Sequence, residues 1–392
     1  MITMRRQLLG LGFVAASSLL ALHSAKAMSG PSGITIDGGP LGPLSLSGGF
    51  DGYGYVLSNT PNGVQDSGAN IGSAMIELQK TTGQLQFTLE VGSSSYQTLG
   101  ALSFDSRGKV SNTSTNTYIT GPLYLGYATF APKNMPFTIS AGQLPSLEGY
   151  EAATDWSDPS QFTTAIFYVQ NSNARGVMGT LTEGPVAATV EFGDGYDSGV
   201  WNYLQALVTY TINDNNVLNV YGGFHTGTTG PNSWAYGGTT TGLGNAYVNS
   251  NIIGAYYSYT MGNLNLVPEV QYQYAKEDAK VGIMGPANDL GAAVFADYTI
   301  PNSPYSIGGW VEYYTSHSSA AANYGFAFGP NAQAIGVAVS PTWQYKDLFA
   351  RANLGYLYLL HNTDALGNKF GYGTSGTERG QFMGTLEAGV LF

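Results

Sequence analysis

From residue 44 onward the chain repeats one device: a short stretch in which apolar and polar side chains alternate, closed off by turn residues. A period of two puts one set of side chains on each face of a β-strand, and about ten such residues cross a bilayer at a tilt. The alternation predicts strands over 44–57, 71–80, 84–92, 122–130, 137–143, 173–182, 186–193 and 203–212. It predicts eight more over 216–224, 250–260, 264–274, 291–299, 306–315, 334–345, 348–358 and 382–392. No segment with a helical period competes with them.

The connections come in two kinds. Those at 81–83, 131–136, 183–185, 213–215, 261–263, 301–305 and 346–347 are short. Those near 58–70, 93–121, 144–172, 194–202, 225–249, 275–290, 316–333 and 359–381 are long. Barrels of the bacterial outer membrane have short periplasmic turns and long outer loops, so strict alternation is a parity test. The stretch "FTTAIFYV" at Phe162–Val169 also reads as a strand. Counting it makes the total odd and puts half the connections on the wrong side. Left inside the 144–172 connection, it restores the alternation and the total becomes sixteen. Sixteen strands enclose an aqueous channel, whereas eight are filled by side chains. The expectation is an all-β chain forming a transmembrane antiparallel β-barrel with a pore.

The chain ends "FMGTLEAGVLF". Phe382, Gly384, Leu386, Ala388, Val390 and Phe392 make an apolar or small face, and the other face carries Glu387. A membrane barrel often closes on such a strand with a terminal aromatic. Phe392 is therefore the expected signal for the outer-membrane assembly machinery.

Residues 1–27 fit a cleaved secretory signal: Arg5 and Arg6, an apolar stretch from Leu8 to Leu22, then Ala25-Lys26-Ala27. The apolar stretch is too short for a membrane helix. Residues 28–392 are then the barrel domain. Lys and Arg number 14 against 25 Asp and Glu, and cleavage removes bases only. Such an excess disfavours nucleic acid and anionic lipid surfaces. With no cysteine, disulfides, thiolate metal sites, cysteine nucleophiles and covalently attached haem are excluded.

Charged residues are only 10% of the chain, against ~25% in a typical soluble domain. Tyr numbers 28 and Gly 54, and mean hydropathy is −0.04. A barrel accounts for this: apolar residues face lipid, small polar ones face water, and aromatics mark the interfaces. A secreted β-helix or sandwich adhesin shares the Gly- and Asn-rich composition.

The stretch "ISAGQLPSLEGYEAATDWSDPSQFTTAIFYVQNSNARGVMGTL" resembles the putative β-barrel porin-2 (OmpL-like) family. The similar features are Gly142 to Pro145, Gly149-Tyr150-Glu151, Ile166-Phe167-Tyr168 and Gly176-Val177, followed by "FGDGYDSG" from Phe192 to Gly199. The match covers roughly residues 137–215. It implies a bacterial outer-membrane porin, names no solute and brings no catalytic residues.

Charges on a lipid-facing strand surface cost ~2–4 kcal/mol for Arg or Lys at the midplane and less for acids. Glu77, Glu90, Glu191, Glu269, Glu312 and Glu387 should therefore point inward, with Arg351 the one clear basic strand position. The third long loop adds Glu148, Glu151, Asp155 and Asp158 around Tyr150 and Trp156, followed by an apolar tail. Such a loop has reason to fold inward and narrow the lumen, where a ring of acids selects cations.

Enzymatic readings find little support. His225, His317 and His361 each stand alone beside a loop, and nothing in their spacing to Asp289 or Asp364 suggests a triad. "DGYDSG" lacks the calcium-loop pattern and "GGTTTGLG" lacks the lysine of a phosphate loop. The expected function is diffusion of small hydrophilic solutes or ions, with cation preference and no cofactor. Its partners would be the lipid bilayer and the assembly machinery, and porins of this size are often homotrimers. A substrate-specific channel and a barrel adhesin or scaffold are the alternatives.

Overall fold

The computed structural model describes residues 28, 30–102, 107–110, 113–115, 122–171, 173–230 and 245–392. The expected signal at 1–27 lies outside these.

Sixteen strands close into one antiparallel barrel. They are β1 (Pro43–Leu57), β2 (Ser67–Lys80), β3 (Leu85–Ser95), β4 (Leu123–Phe130), β5 (Phe137–Pro145), β6 (Asn173–Glu183), β7 (Val186–Asp194) and β8 (Trp201–Asn213). The second half comprises β9 (Asn216–His225), β10 (Asn251–Met261), β11 (Leu264–Ala275), β12 (Ala287–Thr299), β13 (Tyr305–Ser318), β14 (Gln333–Tyr345), β15 (Leu348–His361) and β16 (Gly380–Leu391). Each pairs with the next, and β16 returns to β1 with Leu391 opposite Gly49 and Glu387 opposite Tyr53. Phe392 completes the seam by exchanging two backbone hydrogen bonds with Gly48, both 2.9 Å.

All sixteen expected strands are present, but several run further on the long-loop side. β2 begins at Ser67 rather than 71, β12 at Ala287 rather than 291, and β15 continues to His361 rather than 358. In these extensions the alternation of apolar with polar residues lapses, as at Asn288-Asp289, although the backbone ladder continues.

"FTTAIFYV" stays out of the barrel. Phe162–Thr163 pairs in parallel with Gln97–Thr98 of the second long loop. Ala165–Tyr168 then makes one helical turn, capped by the Thr164 side chain accepting from the Phe167 N–H. Among the described residues no helix is long and apolar enough to cross a membrane.

The two faces of the sheet are sharply different. Along β13, exposed Tyr305, Ile307, Val311 and Tyr313 alternate with buried Ser306, Trp310, Glu312, Tyr314 and Ser316. On the outside, Leu386 is 68% exposed, Ile71 57% and Phe50 56%. Apolar surface of that extent would drive aggregation in water, whereas against lipid tails it is the stable arrangement. The interior instead collects the polar and acidic side chains.

Candidate functional site

The third long connection, 146–172, is fastened to side chains on the barrel's interior face. Trp310 Nε1 of β13 donates to the Phe162 carbonyl at 2.6 Å, and the Ile166 N–H donates to Glu312 Oε1 at 3.1 Å. On β15, Asn353 Oδ1 accepts from the Gln161 N–H at 3.1 Å. Arg351 donates to the carbonyls of Asp155 (2.9 Å) and Asp158 (3.1 Å). A Cβ on Gly308 would overlap the Pro159 carbonyl, so only glycine lets the segment come this close to the wall. Loop backbone has no ladder of its own, and these wall side chains supply the partners it needs.

The second long connection lies against the third. Besides the short parallel pairing, Thr98 Oγ1 and Thr163 Oγ1 are 2.9 Å apart, and Gln97 Nε2 donates to the Tyr53 hydroxyl at 2.8 Å. Leu99 and Phe162 are both buried against Gly355.

The four acids of the third loop are all buried, and their oxygens hold local structure. Glu148 accepts from the Tyr203 hydroxyl at 2.6 Å and from the Asn171 N–H at 2.9 Å. Glu151 accepts from the Thr164 N–H at 3.1 Å and from its hydroxyl. Asp158 accepts from the Ala152 N–H at 2.8 Å, and Asp155 from the Trp156 N–H at 3.1 Å. Burial pushes the Glu148 carboxyl up to about 7, against the opposing bonds from Tyr203 and Asn171. It does the same to Asp155, also to about 7, with the nearby Glu387 charge adding to the effect. Burial likewise raises Glu151 and Asp158.

Two groups separate among the expected residues. Glu148, Tyr150 and Glu151 line a cavity of about 250 Å³, together with Glu90 of β3, Tyr124, Phe167 and Tyr256. Asp155 and Trp156 turn instead toward the wall, while Asp158 gives its carbonyl to Arg351 and turns its carboxylate to the Ala152 N–H. Trp156 packs among Met75, Phe349 and Leu391.

The strand acids also divide. Glu77 and Glu90 are half-buried and directly opposite each other on β2 and β3. Glu191, Glu269, Glu312 and Glu387 are buried. Glu269 accepts from the Tyr221 hydroxyl at 2.7 Å, and Glu387 pairs with Arg351.

Sequence reasoning passed over Asp51 and weighed Asp289 only as a triad partner for a loop histidine. Asp51 is fully buried on the interior face of β1, between outward Phe50 and the smaller Gly52, and Gly72 opposite leaves room for its carboxylate. Its place in the alternation was readable. Asp289, which accepts from the Tyr314 hydroxyl at 2.6 Å, lies in the part of β12 assigned to a loop.

The family described as "Putative beta-barrel porin-2, OmpL-like" matches residues 43–392. No curated protein matches the sequence significantly. Among solved structures, an anion-selective porin from Comamonas acidovorans is 12% identical, with a TM-score of 0.56 over 89% of this chain and 99% of that one. OmpT of Vibrio cholerae in a trimer form is 11% identical, with a TM-score of 0.56 over 89% and 99%. The outer membrane channel DcaP of Acinetobacter baumannii is 9% identical, with a TM-score of 0.55 over 89% and 97%. At these identities the likeness concerns the fold alone.

Proposed function

The chain belongs to the OmpL-like putative beta-barrel porin-2 family and is an outer-membrane porin, and from that premise we propose a diffusion channel for small hydrophilic solutes that favours cations. The third loop narrows the lumen in this reading. Its support is the set of bonds from Trp310, Glu312, Arg351 and Asn353 to that loop. Passing solutes then meet the cavity lined by Glu90, Glu148 and Glu151, whose described lining contains no Lys or Arg. Carboxylates in a narrow passage act on ions more strongly than at an open surface, because less water screens them.

The anion selectivity named for the Comamonas porin does not carry over, because selectivity is set by lining side chains and the chains are 12% identical. A homotrimer is proposed alongside, supported by the trimer form of the similar Vibrio OmpT. An N-terminal signal at 1–27 and reading of Phe392 by the assembly machinery complete the proposal. The aromatics Tyr124, Tyr150, Phe167 and Tyr256 at the cavity favour one second reading, a channel with some substrate preference.

The test is single-channel recording in a planar bilayer under a KCl gradient. Ohmic steps with a cation-selective reversal potential are expected, and replacing Glu90, Glu148 and Glu151 by Gln should move that potential toward zero. An anion-selective wild type would overturn the preference, and an absence of steps would favour the adhesin reading. Conductance that saturates with an organic cation at fixed salt would favour the substrate-specific channel.

A further inference from the structure

Three buried carboxylates from different parts of the chain converge where the third loop meets the barrel seam. Asp51 comes from β1, Glu387 from β16 and Asp155 from the loop, and one oxygen of each lies within 4.8 Å of the others. Two of the three are held in the same way. Asp51 Oδ2 accepts from the Ser73 N–H at 2.9 Å and Asp155 Oδ1 from the Trp156 N–H at 3.1 Å. In each case the second oxygen, Asp51 Oδ1 or Asp155 Oδ2, is buried with no partner in hydrogen-bond geometry, although the Ser73 and Gln161 side chains stand near enough to Asp155 to act on its charge. Both residues are 0% exposed.

The charges do not balance either. Arg351 grips Glu387 and reaches the Asp155 carbonyl, so one base stands against three acids. Buried charge without compensation is costly, and so is a buried oxygen without a partner. A divalent cation relieves both at once. The donor set is oxygen only, which selects a hard ion and disfavours zinc or copper. Calcium binds oxygens at about 2.3–2.6 Å and accepts irregular geometry, so ligands on opposite sides of it stand nearly 5 Å apart. Magnesium needs shorter bonds and near-octahedral order, which three carboxylates fixed on three elements match less well.

We propose that Asp51, Asp155 and Glu387 form a calcium site that clamps the third loop to the β1–β16 seam. The ion ties the loop at Asp155 to the two strands whose pairing closes the barrel. Its role is structural, and it does not depend on which solute passes.

Terbium stands in for calcium in the test, because Trp156 adjoins Asp155 and can sensitise its emission. Full-length folded protein in detergent should show terbium emission on tryptophan excitation, displaced by calcium well below the magnesium concentration needed. Calcium should also raise the temperature at which the barrel loses its compact gel mobility. Asp51→Asn should weaken terbium binding by at least ~10-fold, a ligand being no less critical than the outer-shell groups whose loss costs 10–100-fold. Asp297→Asn, which removes a buried acid elsewhere, should leave it unchanged. Trp156→Phe should lose the emission while keeping the stabilisation by calcium, and bilayer conductance of each variant reports whether the barrel is intact. Terbium emission that calcium does not displace, or that survives Asp51→Asn, would overturn the site. So would stability indifferent to calcium and chelator in a barrel that still conducts, which would assign the acids' neutralisation to protons.

Discussion

Arg351 and Glu387 stand directly opposite each other on β15 and β16, and the guanidinium holds both carboxylate oxygens, at 2.9 and 3.2 Å. Both side chains are fully buried, and the same guanidinium binds two carbonyls of the third loop. The pair therefore joins the wall to the third loop.

Removing one partner strands the other charge in the interior. Arg351→Met or Glu387→Leu alone should cost on the order of 3–5 kcal/mol, while the two together should cost less than the sum. Heat-modified gel mobility or chemical unfolding of the two singles and the double closes the cycle. Additive losses would mean that the contact carries no coupling.

Acidification should weaken the proposed cation preference. Burial raises Glu148 to about 7 from the ordinary 4.5, so it loses its proton as the pH climbs through neutrality. The reversal potential should be most cation-selective near pH 8 and fall toward pH 5, and Glu148→Gln should flatten that dependence. The sign for stability is opposite. The folded state binds this proton more tightly than the unfolded chain, so its contribution is present in full below pH 4.5 and is lost as pH rises toward 7. A cation preference that strengthened with acid would contradict the assignment.

The contact between the second and third loops should also be measurable. Leu99 is 1% exposed and packs with Phe162 beneath Gly355. Truncating it to Ala removes packing worth about 2–5 kcal/mol in a well-ordered core. The expected result is higher open-channel noise and conductance with unchanged sign of selectivity. Identical traces from wild type and variant would place the second loop outside the conducting path.

For assembly, Phe392→Asp should lower outer-membrane yield much more than Leu366→Asp. Phe392 exchanges two hydrogen bonds with Gly48 at the seam, whereas Leu366 is 62% exposed in a loop. Quantitative blotting of membrane fractions compares them, and equal yields would count against a role for the last residue.

The number and order of the strands, and which face of each meets lipid, were legible in the sequence. The period of two is a local property that each strand carries by itself. Glu312 between Val311 and Tyr313 points inward whatever its neighbours do. Long and short connections then decided parity, and parity kept "FTTAIFYV" out of the wall. Only the tertiary structure decided which side chains meet inside. Asp155 touches Arg351 across 196 positions of sequence, and Ile166 reaches Glu312 across 146. Such meetings depend on barrel closure and on the path of a loop that has no repeating pattern. The same reason divides the loop acids, since Glu148 and Glu151 border the cavity while Asp155 meets Asp51 and Glu387 at the seam. Composition could group those carboxylates, but which strand side chains the loop meets, Tyr203 at Glu148 and Arg351 at the Asp155 and Asp158 carbonyls, follows only from the pairing of strands far apart in the chain.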